Sequence, residues 1–478
     1  MVFSSALFLF AFLPPLLAAY FLAPRPARNA VLLAASLLFY AWGERDYTTM
    51  LLASIAGNYA AGRWIEAAHS GRSARRRLAA AVAGNLLALF AFKYANFFVE
   101  NLNPLLALAG LRTIALSPVH LPIGVSFFTF QAISYVVDVW RGDVRAERSP
   151  ARYALYAALF PHLVAGPIVR YRDLARQLGR RRVTPHGFAE GVRRFVLGLG
   201  QKVLLADTLA TCADEIFALP PADLGAGAAW LGLACYTLQI YFDFAGYSDM
   251  AIGLARLFGF DFAENFRHPY AARSVTDFWR RWHITLSNWF RDYVYIPLGG
   301  GRGRPGRVYL NLLVVFLLCG LWHGAAWTFL AWGLWHGAFL VGERAGWGRV
   351  LAGAAWPVRH GYTLLAVMGG WVLFRCDTLA HAIGYYAALL GMNDASAALH
   401  PLAQHLNGLV ATTLIVGVIF SAPLARRIGA WRDRVAATTR AGAAIVLAGD
   451  TAWLAAVFIA SAALLAAGTY NPFIYFRF

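Results

Sequence analysis

Long stretches without a formal charge alternate with short basic segments along this chain of 478 residues. A helix that crosses a bilayer needs about 20 apolar residues, and many of these stretches approach or exceed that length. The stretches without Asp, Glu, Lys or Arg are 1–24, 29–43, 47–62, 78–92, 113–137, 153–169, 224–242, 308–342, 360–374, 378–393, 395–425 and 451–476. We therefore predict an all-α integral membrane protein with about eleven transmembrane helices, plus re-entrant or interfacial helices where runs are short. The run 308–342 is long enough for two helices separated by a Gly-rich break.

The first uncharged run also predicts an orientation. A cleaved signal peptide has a basic region before its apolar core, whereas the first basic residue here, Arg25, follows the run. We therefore expect an uncleaved first transmembrane helix, with Arg25 and Arg28 on the cytoplasmic side and the N-terminus outside. An odd number of crossings then places the C-terminus, next to Arg477, in the cytoplasm. Because no linker divides the chain, we predict one polytopic domain over residues 1–478.

Composition supports membrane insertion and excludes several other classes. Hydrophobic residues make up 59% of the chain and charged residues 14%, whereas a soluble globular protein carries about 25% charged residues. Soluble domains or a disordered chain would need many more charges. The four cysteines are scattered and show no spacing typical of a disulfide framework or a zinc site, so no bound metal is expected.

Positive charge is concentrated between the apolar runs. The net charge is +18, from 42 Lys and Arg against 24 Asp and Glu, and only two of the basic residues are lysines. Basic segments next to apolar runs are typical of cytoplasmic loops and of contacts with anionic lipid headgroups, which we favour over nucleic-acid binding. These segments are 63–77, 170–194, 256–307 and 426–440.

Residues 261–307 mix aromatic, histidine and arginine side chains, which is typical of a membrane-interface belt or a re-entrant element. The part 297–306, PLGGGRGRPG, is predicted to be a loop from its composition. Its backbone N–H groups and arginines could hold a phosphorylated cofactor. Composition alone favours the simpler alternative, a loop that contacts anionic lipids.

The pentapeptide LWHGA occurs twice in the uncharged segment 320–338. Its histidines, His323 and His336, are therefore expected at membrane depth, where ionisable side chains are unfavourable and mark functional sites. The alternative for each is a structural imidazole hydrogen-bonded to a neighbouring carbonyl group. Cys319 lies four residues before His323 on the same helix face, but no third group activates its thiol, so we interpret it as a packing residue.

Two aspartates in the segment 239–253 lie six residues apart. Six residues are about 1.7 turns of an α-helix, so Asp243 and Asp249 do not share a helix face. A paired-carboxylate acid–base site is therefore not expected. We expect one of the two to form a structural ion pair with an arginine from 256–307.

Several long motifs follow one another from the beginning of the chain to its end. They are MVFSSALFLF (1–10), FPHLVAGPIVR (160–170), YFDFAGYSDMAIG (241–253), NFRHPY (265–270), RRWHITLSNWFRDYVYIPLGG (280–300), GLWHGAAW (320–327), WVLFRC (371–376) and NPFIYFRF (471–478). In these motifs the chain resembles the membrane-bound O-acyltransferase superfamily. The most similar part of that superfamily is the bacterial branch of alginate O-acetyltransferases, which also holds peptidoglycan O-acetyltransferases. The D-alanyl transferase of teichoic acids is a more distant member.

The resemblance implies roles for three histidines. His323 matches the family's essential catalytic histidine, and His283 matches its second functional histidine. His336 falls after the active position and is expected to be structural. The resemblance also implies a helical ring with a central tunnel, which would join a cytoplasmic donor pocket to an outer funnel past the essential histidine.

Acyl transfer from a thioester to a hydroxyl group needs a base that removes the hydroxyl proton. A buried neutral imidazole suits this task, so we expect His323 to be the general base. We expect His283 to orient or polarise the acyl group, or to help bind the donor. The arginines expected to bind an acidic donor such as acetyl-CoA from the cytoplasm are Arg280, Arg281, Arg302 and Arg304.

The resulting hypothesis is an O-acetyltransferase of the bacterial inner membrane that modifies an exported polysaccharide, with alginate as the first choice. The resemblance implies an extracytoplasmic SGNH-type, esterase-like partner protein, so the acceptor is either a serine of that partner or the polysaccharide itself. Peptidoglycan, cellulose or another surface glycan is the alternative acceptor. A non-catalytic acyl or lipid transporter is a hypothesis of a different class, but it would favour longer internal repeats than LWHGA. No resident cofactor is expected.

Overall fold

A computed structural model describes residues 1–68, 71–393 and 402–468, apart from the side chains of 425–427. The regular structure of these residues is helical and includes no β-strand, in agreement with the all-α prediction. The α-helices are α1 (Leu13–Leu22), α2 (Arg28–Gly43), α3 (Thr48–Glu66), α4 (Gly71–Leu89), α5 (Ala95–Leu108), α6 (Val125–Arg141), α7 (Pro150–Ala158), α8 (Phe160–Leu163), α9 (Tyr171–Gly179), α10 (Pro185–Gly200), α11 (Asp207–Ala218), α12 (Ala226–Leu257), α13 (Val275–Trp279), α14 (Ile284–Phe290), α15 (Pro305–His323), α16 (Trp327–Gly342), α17 (Gly348–Gly353), α18 (Trp356–Arg375), α19 (Leu379–Leu389), α20 (Leu402–His405), α21 (Gly408–Ser421), α22 (Leu424–Thr438) and α23 (Arg440–Ala466). Short 3-10 or π-helical segments cover Leu7–Phe12, Arg25–Ala27, Phe90–Tyr94, Gln201–Ala206, Pro221–Asp223, Pro269–Ala271, Arg291–Tyr295 and Glu343–Trp347.

The helices group into two compact units, each made of two separate stretches of the chain. The first unit contains Met1–Gly191 and Ala251–Ala263, and the second contains Val192–Met250 and the chain from Glu264 onward. The prediction of a single domain over 1–478 stays a prediction. Parts of the runs 395–425 and 451–476, the motif NPFIYFRF and the predicted position of Arg477 lie outside the described residues.

Four helical stretches in the described part of the chain are long and apolar enough to cross a membrane. They are Gly71–Leu108, Pro185–Ala218, Pro305–His323 and Arg440–Ala466. Only 6% of the most apolar window of the last stretch is buried, so its side chains are available to contact lipid tails. The chain is therefore a multi-pass membrane protein, whereas the count of about eleven crossings stays a prediction.

Two of the uncharged runs are not continuous helices. The run 153–169 is interrupted after α7, because Leu159 leaves the helical conformation (ψ 111°) and Pro161 has no N–H for a helical hydrogen bond. In the run 113–137, α6 begins only at Val125, after a glycine in the left-handed conformation. Prolines and glycines therefore shorten the helices that charge-free length alone suggests.

The run 308–342 forms the predicted pair of helices. α15 ends at His323, α16 begins at Trp327, and the break lies between them. The run therefore bends back on itself directly after the first LWHGA histidine.

The glycine that precedes each LWHGA copy allows α15 and α16 to approach closely. A Cβ atom at Gly320 would overlap the backbone carbonyl oxygen of Phe329, and one at Gly333 would overlap that of Phe316. Only glycine permits this approach between two backbones. The glycine before each copy of the pentapeptide is thus used for packing, once on each helix.

A buried histidine cluster as the candidate active site

His283 has an unusual backbone conformation between the short helices α13 and α14. Its φ is 42° and its ψ is 54°, in the left-handed region that costs a residue with a side chain about 1–2 kcal/mol. The next two residues hold this conformation. The Ile284 N–H donates to the backbone carbonyl of Asn265 (2.9 Å), and the Thr285 N–H donates to the side-chain carbonyl of Asn265 (3.3 Å). The chain therefore turns sharply at His283 and buries its imidazole completely.

Asn265 determines which nitrogen of His283 carries the hydrogen. Its side-chain Oδ1 accepts from the hydroxyl of Thr285 (2.9 Å), and its Nδ2 donates to Oγ of Ser248 (2.9 Å). An amide oxygen can only accept, so Nδ1 of His283, 3.1 Å away, donates to it. The other nitrogen, Nε2, then holds a lone pair, and it has no hydrogen-bond partner among the described residues.

The environment of His283 favours the neutral imidazole. His283 lies outside the four helices that are long enough to cross a membrane. Burial lowers the pKa of its ring well below the ordinary value of about 6.5, because the imidazolium ion would lose its hydration. With the hydrogen on Nδ1, the ring can accept a hydrogen bond or a proton at Nε2.

His323 is the last residue of α15, and its side chain is 3% exposed. Three aromatic rings surround the imidazole, with centroid distances of 4.9 Å to Trp322, 5.0 Å to Trp332 and 5.1 Å to Phe374. Cys319, one turn earlier on α15, is a buried free thiol. The end of an apolar helix thus places an ionisable ring inside the second unit.

One indole ring contacts both predicted catalytic histidines. The ring centroid of Trp322 lies 4.9 Å from that of His323 and 5.9 Å from that of His283. Phe244, from the motif YFDFAGYSDMAIG, lies 4.7 Å from His283, and Phe374, from WVLFRC, contacts His323. We call His283, Trp322, His323 and Asn265 the histidine cluster. The structure brings the two histidines together in this cluster, and their catalytic roles stay predictions.

His336 lies in the middle of α16 and is completely buried. Its ring contacts Trp279 and Trp332, both at 5.1 Å between centroids. Neither ring nitrogen has a hydrogen-bond partner in the part of the chain that the structure describes. The alternative considered from the sequence, an imidazole hydrogen-bonded to a neighbouring carbonyl group, is therefore not observed among these residues. A Cβ atom at Gly370 would overlap Nε2, which shows how closely neighbouring backbone covers this nitrogen.

The four arginines predicted to bind the donor have different surroundings. Arg281 donates to Asp277 (2.9 Å), and the side chains of both are about one-third exposed, 33% and 31%. The other three, Arg280, Arg302 and Arg304, are exposed and form no ion pair with a described carboxylate. Their charge is available to an external anion.

The segment 297–304 is a loop, as its composition predicts, whereas Pro305 and Gly306, which were predicted to belong to the loop, begin α15. Nδ2 of Asn311 on α15 donates to the carbonyl groups of Leu298 (3.3 Å) and Gly300 (3.2 Å) and so fixes the loop backbone. The N–H groups of Gly299 and Gly300 donate to carbonyl groups within the preceding turn. These two amides are therefore occupied, so an anion at this loop is left with the arginine side chains and the other amides.

The two aspartates of α12 have partners that the sequence did not predict. Asp249 pairs with Arg194 of α10 (2.7 Å), and Asp243 pairs with the buried Lys202 (2.7 Å). The expected arginine from 256–307 was the wrong partner, because the packing of α10 beside α12 decides the pairing. The two separate ion pairs agree with the positions of the aspartates on different helix faces.

Sequence reasoning missed Asn265 and Ser248 as members of the site. Both lie in motifs that carry the family resemblance, which was the available signal. However, Asn265 is 18 residues from His283, and a single amide at that distance has no spacing that predicts a contact. Only the fold reveals that it orients the ring.

Comparison with known proteins extends the likeness over the whole chain. The model of the membrane-bound O-acyltransferase family matches residues 127–350. The probable alginate O-acetylase of Azotobacter vinelandii is 44% identical over 501 aligned positions, which cover 100% of both chains. The probable alginate O-acetylase of Pseudomonas putida is 43% identical over 489 positions, again with 100% of both covered. The peptidoglycan O-acetyltransferase of Helicobacter pylori is 34% identical over 438 positions, which cover 83% of this chain and 81% of that protein.

Both histidines of the cluster lie within the residues that the family model matches. The identity to two relatives exceeds 40% over the full length of each chain. These findings confirm the resemblance that the sequence motifs predicted. The chain belongs to the membrane-bound O-acyltransferase family, in the branch of the alginate O-acetyltransferases.

Proposed function

We propose that this chain is a membrane O-acetyltransferase that passes an acetyl group from acetyl-CoA, on the cytoplasmic side, to exported alginate. The observation that carries the proposal is the contact of His283 and His323 with the same indole ring, inside the region matched by an acyltransferase family. The choice of alginate rests on the two full-length relatives that are probable alginate O-acetylases.

In this proposal His323 is the general base. Its imidazole removes the proton of the acceptor hydroxyl group while the oxygen attacks the carbonyl carbon of the thioester. The C–S bond then breaks, and the proton passes from the imidazolium to the departing thiolate. The products are an acetyl ester and a free thiol, and the imidazole returns to its neutral form.

His283 orients a hydrogen donor rather than polarising the acyl oxygen. Because Asn265 holds its Nδ1–H, the position left for a ligand is Nε2, which accepts a hydrogen bond. Polarisation of an acyl oxygen would need a donor at that position. The geometry therefore disfavours polarisation of the acyl group, one of the roles expected from the sequence. The ligand that fits Nε2 is the acceptor hydroxyl group, which the sequence did not suggest as a ligand of His283.

The donor's phosphates meet the exposed arginines. A guanidinium group binds phosphate through two parallel N–H···O bonds. Arg302 and Arg304 offer this from the loop 297–304, whereas Arg281 is already engaged by Asp277. We rank the loop pair first, and Arg280 completes the set.

The charge distribution supports an orientation across the bacterial inner membrane. The basic segments 170–194 and 256–307 face the cytoplasm, the N-terminus lies outside and the C-terminus inside. The acetyl group then leaves on the outer side through a tunnel within a ring of about eleven crossing helices. An extracytoplasmic SGNH-type partner protein receives it there or completes its transfer to the polysaccharide.

Peptidoglycan is the second candidate acceptor. The observation in its favour is the 34% identity to the peptidoglycan O-acetyltransferase of Helicobacter pylori over most of both chains. The identity to the alginate O-acetylases is about ten percentage points higher and covers the full length, 44% in the first case. We therefore place alginate first.

The test is mass spectrometry of exported alginate and of peptidoglycan from cells with the gene, without it and with it restored. Loss of O-acetyl groups from alginate alone, with recovery on restoration, is the expected result. Loss from peptidoglycan alone would replace the acceptor but keep the chemistry. Unchanged acetylation of both, at verified absence of the protein, would contradict the proposal.

A further inference from the structure

The first unit contains a basic cavity whose lining residues have no role in the proposed acetyl transfer. Its volume is about 420 Å³. The arginines that line it are Arg25, Arg28, Arg180, Arg181 and Arg182. They come from the connection between α1 and α2 and from the chain after α9, two segments that are separated by about 150 residues in the sequence.

Hydrogen bonds between these two segments, and from both to Phe258, fix the walls of the basic cavity. Nδ2 of Asn29 donates to the carbonyl group of Leu178 (2.9 Å). The hydroxyl of Tyr20 and Nε of Arg181 both donate to the carbonyl group of Phe258, at 3.1 and 2.9 Å. The convergence of the arginines is therefore built into the fold of this unit.

The positive charge of the cavity is not balanced by acidic side chains. None of its five arginines forms an ion pair with a carboxylate in the described ranges, whereas Arg194 of the second unit meets two, Asp249 and Glu264. Burial lowers the pKa of Arg181, and the neighbouring charge of Arg28 lowers it further. Like charges around one small volume repel one another, and a bound anion would remove that repulsion.

The surroundings of the cavity favour an anion with acyl chains over a soluble one. Phe21 and Leu22, at the end of α1, are 40% and 86% exposed and precede Arg25 directly. The Arg28 guanidinium lies 5.1 Å from the ring centroid of Tyr20, and its Nε donates to the carbonyl group of Ala23 (3.3 Å). Exposed apolar groups thus lie next to arginines of the cavity, and the Arg28 guanidinium is 5.8 Å from the ring centroid of Phe21, an arrangement that suits an amphiphile.

We propose that the basic cavity binds the phosphate headgroup of an anionic phospholipid, with the acyl chains running along Phe21 and Leu22. Arginine forks hold the phosphate oxygens through paired N–H groups. The bound lipid bridges the α1–α2 connection and the chain after α9, and so stabilises the first unit. This inference goes beyond the proposed acetyl transfer and does not depend on it.

The test uses the full-length chain in detergent and measures phosphatidylglycerol binding by native mass spectrometry. The variant Arg25→Gln plus Arg182→Gln removes two exposed charges and leaves the internal contacts of Arg28 and Arg181 in place. The control variant Arg75→Gln plus Arg76→Gln removes two exposed charges from α4. Thermal unfolding without added lipid verifies that both variants fold.

We expect the cavity variant to bind phosphatidylglycerol about 100-fold more weakly than the wild type and the control, since each of the two lost phosphate contacts with a charged donor is worth roughly a factor of ten. Equal affinity in the two variants would overturn the proposal. Phosphatidylethanolamine, whose amine offsets the phosphate charge, is expected to bind more weakly. Displacement of phosphatidylglycerol by equimolar inorganic phosphate or CoA would show that the ligand is a soluble phosphate and would overturn the lipid assignment.

Discussion

The two copies of LWHGA have the same five residues and differ in where their helices end. His323, in the first copy, is the last residue of α15, whereas His336, in the second, lies in the middle of α16. His323 shares the indole of Trp322 with His283, but His336 is enclosed by aromatic rings and by the backbone at Gly370. A helix end, rather than the pentapeptide, therefore distinguishes the candidate catalytic histidine from the one expected to be structural.

The two copies are also physically connected. The ring of Trp332 lies 5.0 Å from His323 and 5.1 Å from His336, measured between centroids. Each imidazole thus contacts the same indole ring in an edge-to-face arrangement. Variants of one copy must therefore be compared with matched variants of the other, at equal abundance in the membrane.

The largest difference in the rate of acetyl transfer is expected between His323→Ala and His336→Ala. Removal of a general base is expected to lower the rate of acetyl transfer about 10²–10⁴-fold, whereas loss of a packing ring should leave most of the activity of the folded protein. The measurement is transfer from labelled acetyl-CoA in membrane vesicles with equal amounts of each variant. The opposite ranking would show that the two copies have been assigned the wrong way round.

The next largest effect on the rate is expected at Asn265, the hydrogen-bond partner of His283. Asn265→Ala removes the acceptor for Nδ1–H and is expected to lower the rate about tenfold, the equivalent of one hydrogen bond. Asn58→Ala, at another buried asparagine, is the matched control and should change stability without changing the rate per folded molecule.

A pH profile separates positioning by Asn265 from simple packing. In Asn265→Asp a carboxylate would face Nδ1–H and raise the pKa of His283, because a negative charge favours the imidazolium. The neutral ring is lost as the pH falls through this raised pKa, so the acid limb of the rate profile should move to higher pH. An unchanged profile in a folded Asn265→Asp variant would contradict the proposed role of His283.

The shared packing of the two copies predicts a shared effect on stability. Gly320→Ala and Gly333→Ala each force a Cβ atom against a backbone carbonyl group and should cost about 1–3 kcal/mol. Gly342→Ala, on the same α16 but with open space around it, should cost nothing. Thermal unfolding in detergent checks this. If one glycine tolerated alanine and the other did not, the copies would differ in packing as well as in chemistry.

The smallest effect is expected at the exposed arginines of the loop 297–304. Arg302→Glu plus Arg304→Glu should raise the KM for acetyl-CoA more than it lowers kcat, because remote contacts bind substrate and transition state alike. Arg75→Glu plus Arg76→Glu gives the same change of charge on another exposed surface and should leave KM unaltered. If both pairs changed KM equally, the effect would be one of general surface charge.

The charge pattern and the motifs predicted the helices of the fold better than they predicted the contacts between residues. The run 308–342 gave the two helices and their break because glycine density and length act locally. The run 153–169 does not form one helix, because Pro161 has no backbone N–H to donate within a continuous helix. The absence of charged residues, from which the run was defined, does not detect this. The start and end of a helix can therefore be predicted from the sequence where they depend on a few neighbouring residues.

The contacts of the site depend on chain segments that meet only in the fold. The motifs indicated His283 and His323, but the role of Asn265 follows from a turn that brings it to Nδ1. The partner of Asp249 came from α10 rather than from 256–307, since neighbouring helices decide which cation is close. No spacing in a single sequence encodes such long-range choices.

In the proposed function, this chain acetylates exported alginate through His323. The most direct measurement is the O-acetyl content of alginate, by proton NMR, from cells that lack the gene and carry it again as wild type, His323→Ala or His336→Ala at equal membrane abundance. We predict full acetylation with the wild type, substantial acetylation with His336→Ala and none above background with His323→Ala. Normal acetylation with His323→Ala would contradict it.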